Sequence, residues 1–291
     1  MSTRRDFIKQ LSAVAGLGAA VSMGLGLNPQ QVRAAVAGSW YMPDENELQE
    51  RVFLAFAASS SIWADWATPV NNTIALLAKT IAKYQPVTVL CRPAQLALAK
   101  SKCGTTNIKF ISVALDDIWM RDYGGCFVVD DQGGRGLVDF NFNGWGNKQA
   151  HASDTQVADE LSYQTNASYI SSQLTGEGGG IEVDGHGTAI MTESCWVNSN
   201  RNPGMSRAQI EAELKANLGL RKIIWLPGIK DKDITDAHVD FYARFASKGV
   251  VVANLDNDPK SYDYAVTRKH LEILKAATDA DGNKLQIHTL P

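Results

Sequence analysis

The chain has 291 residues, of which 45% are hydrophobic and 20% charged, and its formal net charge at pH 7 is −3. This composition is ordinary for a globular protein and supplies enough apolar material for one large domain or two small ones. The body of the chain contains no block of lysines and arginines, so a nucleic-acid partner is not expected. Four cysteines are present, and none of them forms a zinc-binding pattern with histidine.

The first 37 residues are predicted to be an export signal rather than part of the fold. Arg4 and Arg5 form a twin-arginine pair, and an apolar run rich in alanine and glycine follows from residue 11 to residue 27. Ala35-Val36-Ala37 supplies a small-residue cleavage site. The sequence therefore predicts a Tat signal peptide over residues 1–37 and a periplasmic or secreted protein. The apolar run of the signal is too glycine-rich to be a membrane span, and no span is expected in the chain that remains after the signal is removed.

From residue 47 onward, strand patterns and helix patterns alternate. Buried strands are predicted at 52–56, 87–91 and 108–115, with helices at 70–84 and 93–100 between them. One unit of hairpin, helix and strand is then predicted three times. The hairpins cover residues 126–142, 181–192 and 239–255, the helices 155–163, 206–218 and 262–277, and the strands 167–171, 222–226 and 285–289. Such units arranged around an axis would form a propeller of small α/β modules.

The helix of the second unit has recognisable boundaries. Ser206 and Gln209 have the spacing of a capping box at its start. Gly219 is suited to the position that follows the last turn. These residues limit the predicted helix to 206–218.

Polar residues precede or open each predicted hairpin. Trp119-Met120-Arg121-Asp122 comes before the first, Glu177 in a glycine-rich stretch comes before the second, and His238 and Asp240 open the third. Because His238 and Asp240 are two residues apart, an extended strand would direct both side chains to one face. A role in capping turns would explain any one of these groups. Together they indicate a site at which three carboxylates and one imidazole converge on the axis.

Such a group of side chains suits a planar cation. A guanidinium stays protonated and offers five donors in a fixed fork, so two carboxylates can hold it through paired hydrogen bonds. The indole face of Trp119 can cover it. Chemistry at the guanidinium carbon would need a nucleophile, for which a thiolate is well suited.

The chain resembles the agmatine deiminases, within the wider bacterial-type peptidylarginine deiminase family of guanidine-modifying enzymes. Six stretches carry this resemblance, and they run in the family's order across most of residues 40–291. They are Trp119-Met120-Arg121-Asp122, Asp139-Phe140-Asn141-Phe142-Asn143-Gly144-Trp145-Gly146, Glu177-Gly178-Gly179, Asn198-Ser199-Asn200-Arg201-Asn202-Pro203, Ile224-Trp225-Leu226-Pro227 and Thr235-Asp236-Ala237-His238-Val239-Asp240. The resemblance implies an α/β fold of the pentein type, a five-module α/β propeller over residues 38–291 whose last module is incomplete.

The resemblance also implies a reaction and roles for the site residues. Asp122 and Asp240 would hold the substrate guanidinium, and Trp119 would form a wall of the pocket. His238 would move protons, and Glu177 would pair with it or steady the site. The expected substrate is agmatine, which a cysteine would convert through a thiouronium intermediate to N-carbamoylputrescine and ammonia. No metal or organic cofactor is implied, and the expected partner is a small guanidinium compound.

The nucleophilic cysteine that the resemblance implies is not found in the sequence. In the family it lies in a glycine-rich stretch of the last module, whereas this chain stops at Leu290-Pro291, so a C-terminally truncated deiminase is expected. Cys126 and Cys195 read as structural residues, and either is an alternative nucleophile.

Three other interpretations stay open. The substrate would be an arginine side chain in a peptide if the chain is a peptidylarginine deiminase. The chain would bind guanidines without turnover if it is a remnant that lost the nucleophile. The same carboxylates and His238 would bind a metal ion if the site is an oxygen-rich metal centre. A propeller that lacks a module would also expose unpaired strand edges, so poor solubility or a homodimer is a further expectation.

Overall fold

Four small sheets follow one another along the chain. The computed structural model describes residues 40–291, and the export signal predicted over residues 1–37 lies outside the described residues. Each of the four sheets has three strands. Within residues 40–291, every helix is too short or too polar to cross a membrane.

The first sheet is entirely parallel. Strands β1 (Val52–Phe56), β2 (Val87–Cys91) and β3 (Ile108–Ser112) pair in that order. Parallel neighbours need a crossover, which helix α1 (Ala67–Ile81) provides between β1 and β2, and helix α2 (Leu96–Cys103) between β2 and β3. The central strand β2 is buried at all five positions, in keeping with a sequence that is apolar except at Thr88.

The other three sheets share one topology. In each, two antiparallel strands are followed by a helix and by a third strand that is parallel to the second. The elements are β4 (Cys126–Val129), β5 (Arg135–Asp139), α3 (Val157–Thr165) and β6 (Ser168–Ser171); β7 (Glu182–Val183), β8 (Thr188–Thr192), α4 (Arg207–Leu218) and β9 (Lys222–Leu226); and β10 (Ala243–Ser247), β11 (Val250–Asn254), α5 (Tyr264–Ala276) and β12 (Gln286–Leu290). The unit predicted three times from the sequence is therefore confirmed.

Helix α4 has both of its predicted boundaries. The Ser206 side chain accepts a hydrogen bond from the Gln209 backbone, and the Gln209 side chain accepts one from the Ser206 backbone at 2.9 Å. Gly219 follows the last turn with φ 65°, a left-handed conformation that glycine adopts without strain. The capping box and the glycine cap predicted from the sequence are both confirmed.

Short helical turns lie between the main elements, and one of them replaces part of a predicted strand. The third hairpin was expected to begin at residue 239, but Val239–Phe241 is a 3-10 turn and β10 begins at Ala243. The other short turns are Ser60–Trp63, Ala64–Trp66, Pro93–Gln95, Met120–Tyr123, Gly144–Asn147, Asp154–Gln156, Gly178–Gly180 and Glu193–Trp196. Several of them carry the residues of the candidate site.

Apolar clusters join neighbouring sheets in chain order. Representative buried pairs are Leu90 and Leu137 between sheets 1 and 2, Val138 and Met191 between sheets 2 and 3, and Ile190 and Val251 between sheets 3 and 4. The fold is thus a mixed α/β fold in which each module packs on the next. Residues 40–291 supply four modules, so the five-module count stays a prediction.

Candidate active site

Three of the four predicted site residues meet at Gly179. A Cβ atom on this glycine would lie 2.5 Å from His238 Nδ1, 2.7 Å from Asp122 Oδ1 and 3.0 Å from Asp240 Oδ2. These distances are shorter than van der Waals contact, so only a residue without a side chain leaves the three groups facing a common space. The structure therefore brings two carboxylates and one imidazole together at this point.

Glu177, the fourth predicted residue, lies at the opposite end of the imidazole. Its Oε2 atom is 3.1 Å from His238 Nε2, and both side chains are buried. Glu177 directly precedes the turn Gly178–Gly180. A Cβ atom on Gly178 would lie 2.1 Å from the carbonyl oxygen of Arg121, so a glycine here lets the turn approach the segment that carries Asp122.

His238 and Asp240 share the site for a reason that differs from the predicted one. They were expected on one face of an extended strand, but His238 has φ −53° and ψ 146° and precedes the 3-10 turn Val239–Phe241. That turn leaves His238 buried and Asp240 exposed. The expectation of a strand was wrong here, and Asp240 is the member of the group that solvent reaches.

Asp122 is held by two hydrogen bonds from the protein. Its Oδ1 atom accepts from the Gly179 N–H at 3.1 Å, and its Oδ2 atom accepts from the Trp145 indole N–H at 3.1 Å. Oδ1 also lies 3.7 Å from His238 Nδ1. Trp145 adopts φ 57°, a left-handed conformation that is strained for a bulky residue, so its hydrogen bond to Asp122 is maintained against a backbone cost.

Trp119 adjoins this group through Trp145. Its ring is 42% exposed and lies edge-on to Trp145, with the ring centroids 6.3 Å apart. Trp63 stacks on it at 6.1 Å, and the Trp119 indole N–H donates to Asp117 Oδ2 at 3.0 Å. These contacts fix the ring beside the site, and its role as a wall of the pocket stays a prediction.

The two carboxyls that face Gly179 titrate above their ordinary range. Burial is the largest cause that raises the pKa of Asp122 above 3.8, and neighbouring Glu177 and Asp240 add to it against the opposing charge of His238. Desolvation of its carboxyl likewise raises the pKa of Asp240, with His238, Arg244 and Arg121 acting in the opposite direction. A cation placed between the two carboxyls would favour their ionised forms.

The imidazole and Glu177 stabilise each other's charged forms. Burial alone would lower the pKa of His238, but the neighbouring Cys195 sulfur, Glu177 and Asp122 outweigh it, and the pKa lies well above its usual value. Burial alone would raise the pKa of Glu177, but the hydrogen bond to His238 and the charge of Arg201 bring it below the usual value. Glu177 is therefore a permanent carboxylate near neutral pH.

Residues 41–291 match the family described as Porphyromonas-type peptidyl-arginine deiminase. The chain belongs to this family. The resemblance carried by the six sequence stretches is thereby confirmed.

Several relatives of this deiminase family are similar over most of the chain. The agmatine deiminase of Stutzerimonas stutzeri is 37% identical over 258 residues, which cover 87% of this chain and 70% of that protein. The agmatine deiminase of Pseudomonas aeruginosa strain LESB58 is 36% identical over 261 residues, covering 88% of this chain and 71% of that protein. Among solved structures, the agmatine deiminase of Enterococcus faecalis superposes with a TM-score of 0.83 at 30% identity, covering 87% of this chain and 70% of that chain.

Arg201 is the residue of this deiminase site that sequence reasoning missed. Its Nε atom lies 2.9 Å from both carboxylate oxygens of Glu177, and its Nη1 atom lies 2.7 Å from Asp236 Oδ2. All three side chains are fully buried. Both Arg201 and Asp236 stand in stretches that carry the family resemblance, but spacing along the sequence gave no sign that they would form an ion pair.

All four cysteines of this family member are buried. The Cys195 sulfur lies 3.6 Å from Glu177 Oε2, the oxygen that faces His238 Nε2. The other ring nitrogen of His238, Nδ1, faces Gly179. Burial raises the pKa of the Cys126 thiol to about 12, and burial is also the largest cause that raises the pKa of Cys195. Nucleophilic cysteines need the thiolate form, so neither environment prepares a nucleophile.

A metal ion would find a donor set that differs from the predicted one. Donor atoms of Glu177, Cys195 and His238 lie within 4.8 Å of one another. Arg201 already balances the charge of Glu177, and the raised pKa of Cys195 makes a thiolate ligand costly. We therefore interpret this cluster as an internal hydrogen-bond network.

Replacing Gly179 by alanine tests the convergence directly. The new methyl group would overlap His238 Nδ1 and the carboxyls of Asp122 and Asp240, so we expect a loss of about 1–3 kcal/mol in the free energy of unfolding. We also expect displaced imidazole resonances of His238 in NMR spectra.

Gly104→Ala is the matched control. Gly104 has φ 73° and ψ −176°, a conformation that is found almost only in glycine, and no heavy atom lies within 4 Å of the added methyl group, so this variant carries a backbone cost of about 1–3 kcal/mol and no steric overlap. Its His238 resonances should stay unchanged. Unchanged His238 resonances in Gly179→Ala would contradict the geometry of the site.

Proposed function

We propose that this site binds a guanidinium group and serves its hydrolytic deimination, with agmatine as the substrate. The observation that carries the proposal is the convergence of Asp122, Asp240 and His238 Nδ1 on the space above Gly179. The support from comparison is that the relatives named above are agmatine deiminases, which are hydrolases of C–N bonds.

Asp122 and Asp240 are the groups that would hold the guanidinium. A guanidinium offers paired donors in a plane, and a carboxylate on either side of it can accept them. Glu177 is unavailable for this purpose, because Arg201 and His238 already bind its oxygens. A cation would therefore bind Asp122 and Asp240, which lie on the Nδ1 side of the imidazole. Asp240 is exposed to solvent.

In the proposed reaction a thiolate attacks the guanidinium carbon. The carbon–nitrogen bond then breaks, and ammonia leaves with a proton from His238, so that a thiouronium remains on sulfur. His238 next accepts a proton from water, which attacks the same carbon, releases the thiol and yields the ureido product. Glu177 holds Nε2 throughout, so Nδ1 is the atom that exchanges protons with the substrate.

The proposal places the nucleophile outside the four cysteines of this sequence. All four are buried, and Cys195 lies beside the Glu177 oxygen that faces Nε2. We propose, as the family resemblance implies, that the nucleophile is a cysteine in the last module of a five-module propeller.

We also propose that the signal over residues 1–37 exports the protein and that the protein forms a homodimer.

Arginine within a peptide is the second candidate substrate. The family description refers to peptidyl-arginine deiminases, and Asp240 is exposed at the site. Competition between agmatine and a short arginine-containing peptide, measured by calorimetry, separates the two. If the peptide binds more tightly than agmatine, arginine within a peptide becomes the favoured substrate.

Neutralising either carboxyl at Gly179 should weaken agmatine binding. Asp122→Asn and Asp240→Asn each remove a charge-assisted pair of hydrogen bonds, so we expect the Kd to rise about 10- to 100-fold in titration calorimetry. Asp131→Asn is the control, because it removes one negative charge at an exposed hairpin position. Equal affinity in all three variants would show that agmatine binds elsewhere.

Turnover by the 291-residue chain should be negligible even where agmatine binds. The reason is that all four of its thiols are buried, and the measurement is the release of ammonia and N-carbamoylputrescine over time. Clear turnover that disappears in Cys126→Ser or Cys195→Ser would identify that thiol as the nucleophile. Clear turnover in both variants would point to Cys91, to Cys103 or to a mechanism without a cysteine.

Agmatine affinity should fall as the solution becomes mildly acidic. The pKa values of Asp122 and Asp240 are raised above 3.8, so both carboxyls gain protons at a higher pH than an unperturbed aspartate, and agmatine must displace those protons. Calorimetry in two buffers of different ionisation enthalpy should detect net proton release on binding. An affinity that stays constant down to about pH 4 would contradict the assignment.

A further inference from the structure

Arg201 contacts both the carboxylate that faces His238 Nε2 and the loop that precedes the histidine. Its guanidinium donates from Nε to both oxygens of Glu177 at 2.9 Å, from Nη1 to Asp236 Oδ2 at 2.7 Å and from Nη2 to the Thr235 carbonyl oxygen at 2.8 Å. Its side chain is fully buried. The Arg201 guanidinium thus binds both Glu177, which accepts from the imidazole, and the loop that carries His238.

The loop needs such support because its backbone is strained. Asp236 and Ala237, which immediately precede His238, have φ values of 61° and 67°. Two successive residues with side chains in the left-handed region are costly, and such a segment persists only when its surroundings hold it. The ion pair from Arg201 to Asp236 and the hydrogen bond to the Thr235 carbonyl oxygen hold it from one side.

The charges of the network are balanced. Glu177 and Asp236 supply two buried carboxylates, and Arg201 lies between them. Lys148 Nζ lies 2.8 Å from the second oxygen of Asp236 and provides the other cation. Burial opposes ionisation of Asp236, but hydrogen bonds from Lys148, Asn200 and Arg201 hold its pKa well below the usual range.

We propose that Arg201 is a positioning residue that fixes the orientation and the tautomer of His238. With its charge matched by Arg201, Glu177 remains an ionised acceptor for the Nε2 proton. Once the imidazolium has lost its second proton, the lone pair of the neutral ring lies on Nδ1, the atom that faces Asp122 and Asp240. This inference rests on the proposed function for its catalytic meaning, because deimination requires proton exchange at Nδ1.

Arg201 also determines which carboxylates a ligand can use. It occupies Glu177 with an internal guanidinium, the same chemical group that the proposed substrate carries. A ligand guanidinium is thereby directed to Asp122 and Asp240 and kept from the acid that orients His238. Lysine cannot replace Arg201 in this respect, because one ammonium cannot reach Glu177, Asp236 and the Thr235 carbonyl oxygen with a fixed fork.

The test is the imidazole NMR spectrum of the full chain labelled with ¹⁵N-histidine, compared between wild type and Arg201→Lys. In the wild type we expect a deshielded Nε2 proton on His238 and, at alkaline pH, the single Nε2–H tautomer. In Arg201→Lys, which keeps the positive charge, we expect loss of that resonance and a mixture of tautomers. Arg207→Lys is the matched control, because Arg207 pairs with Glu193 on the surface, where both side chains are about half exposed.

The outcomes separate this inference from the proposed function. Wild-type His238 signals in folded Arg201→Lys would overturn the positioning role, whatever the protein does with agmatine. If Arg201→Lys loses these signals as expected but the wild type does not bind agmatine, the positioning role is upheld and the proposed function is overturned. If Arg201→Lys does not fold, Asp236→Asn weakens the same network from its other end, and unchanged His238 signals there would likewise overturn the role.

Discussion

A fully buried carboxylate is stable only when it is paired, and the site of this protein is organised around one that is paired twice. Glu177 meets Arg201 on one side and His238 on the other. Each partner belongs to a different segment of the chain, so the pairing locks together the turn Gly178–Gly180, the segment 198–203 that carries Arg201 and the loop before β10. The remaining carboxyls, Asp122 and Asp240, are then free to face a ligand.

The modular fold explains how residues so far apart in sequence come together. Three sheets repeat the same order of hairpin, helix and strand, and the segments that lead into the hairpins carry the acids and the imidazole. Apolar clusters between successive sheets fix one module against the next. The repeat therefore brings chemically different residues to one place although they are far apart along the chain.

Much of this arrangement could be read from the sequence, because it depends on local signals. Short apolar runs located most of the strands, and the capping box at Ser206 fixed a helix boundary. The turn at His238 could not be read in this way, since left-handed residues at 236 and 237 are not glycines and leave no compositional sign. Arg201 escaped for a related reason: a buried ion pair is a property of three segments together, and no single segment predicts it.

Gly179 has a consequence for how such a site can diversify. The space in which the acids and the imidazole meet has a floor made of peptide backbone, so its depth cannot be adjusted by exchanging one side chain for another. Changes in ligand preference must therefore arise around the rim, where half-exposed rings such as Trp119 stand. Relatives that keep this glycine and differ in the residues around the rim would bind the same charged group in ligands that differ elsewhere.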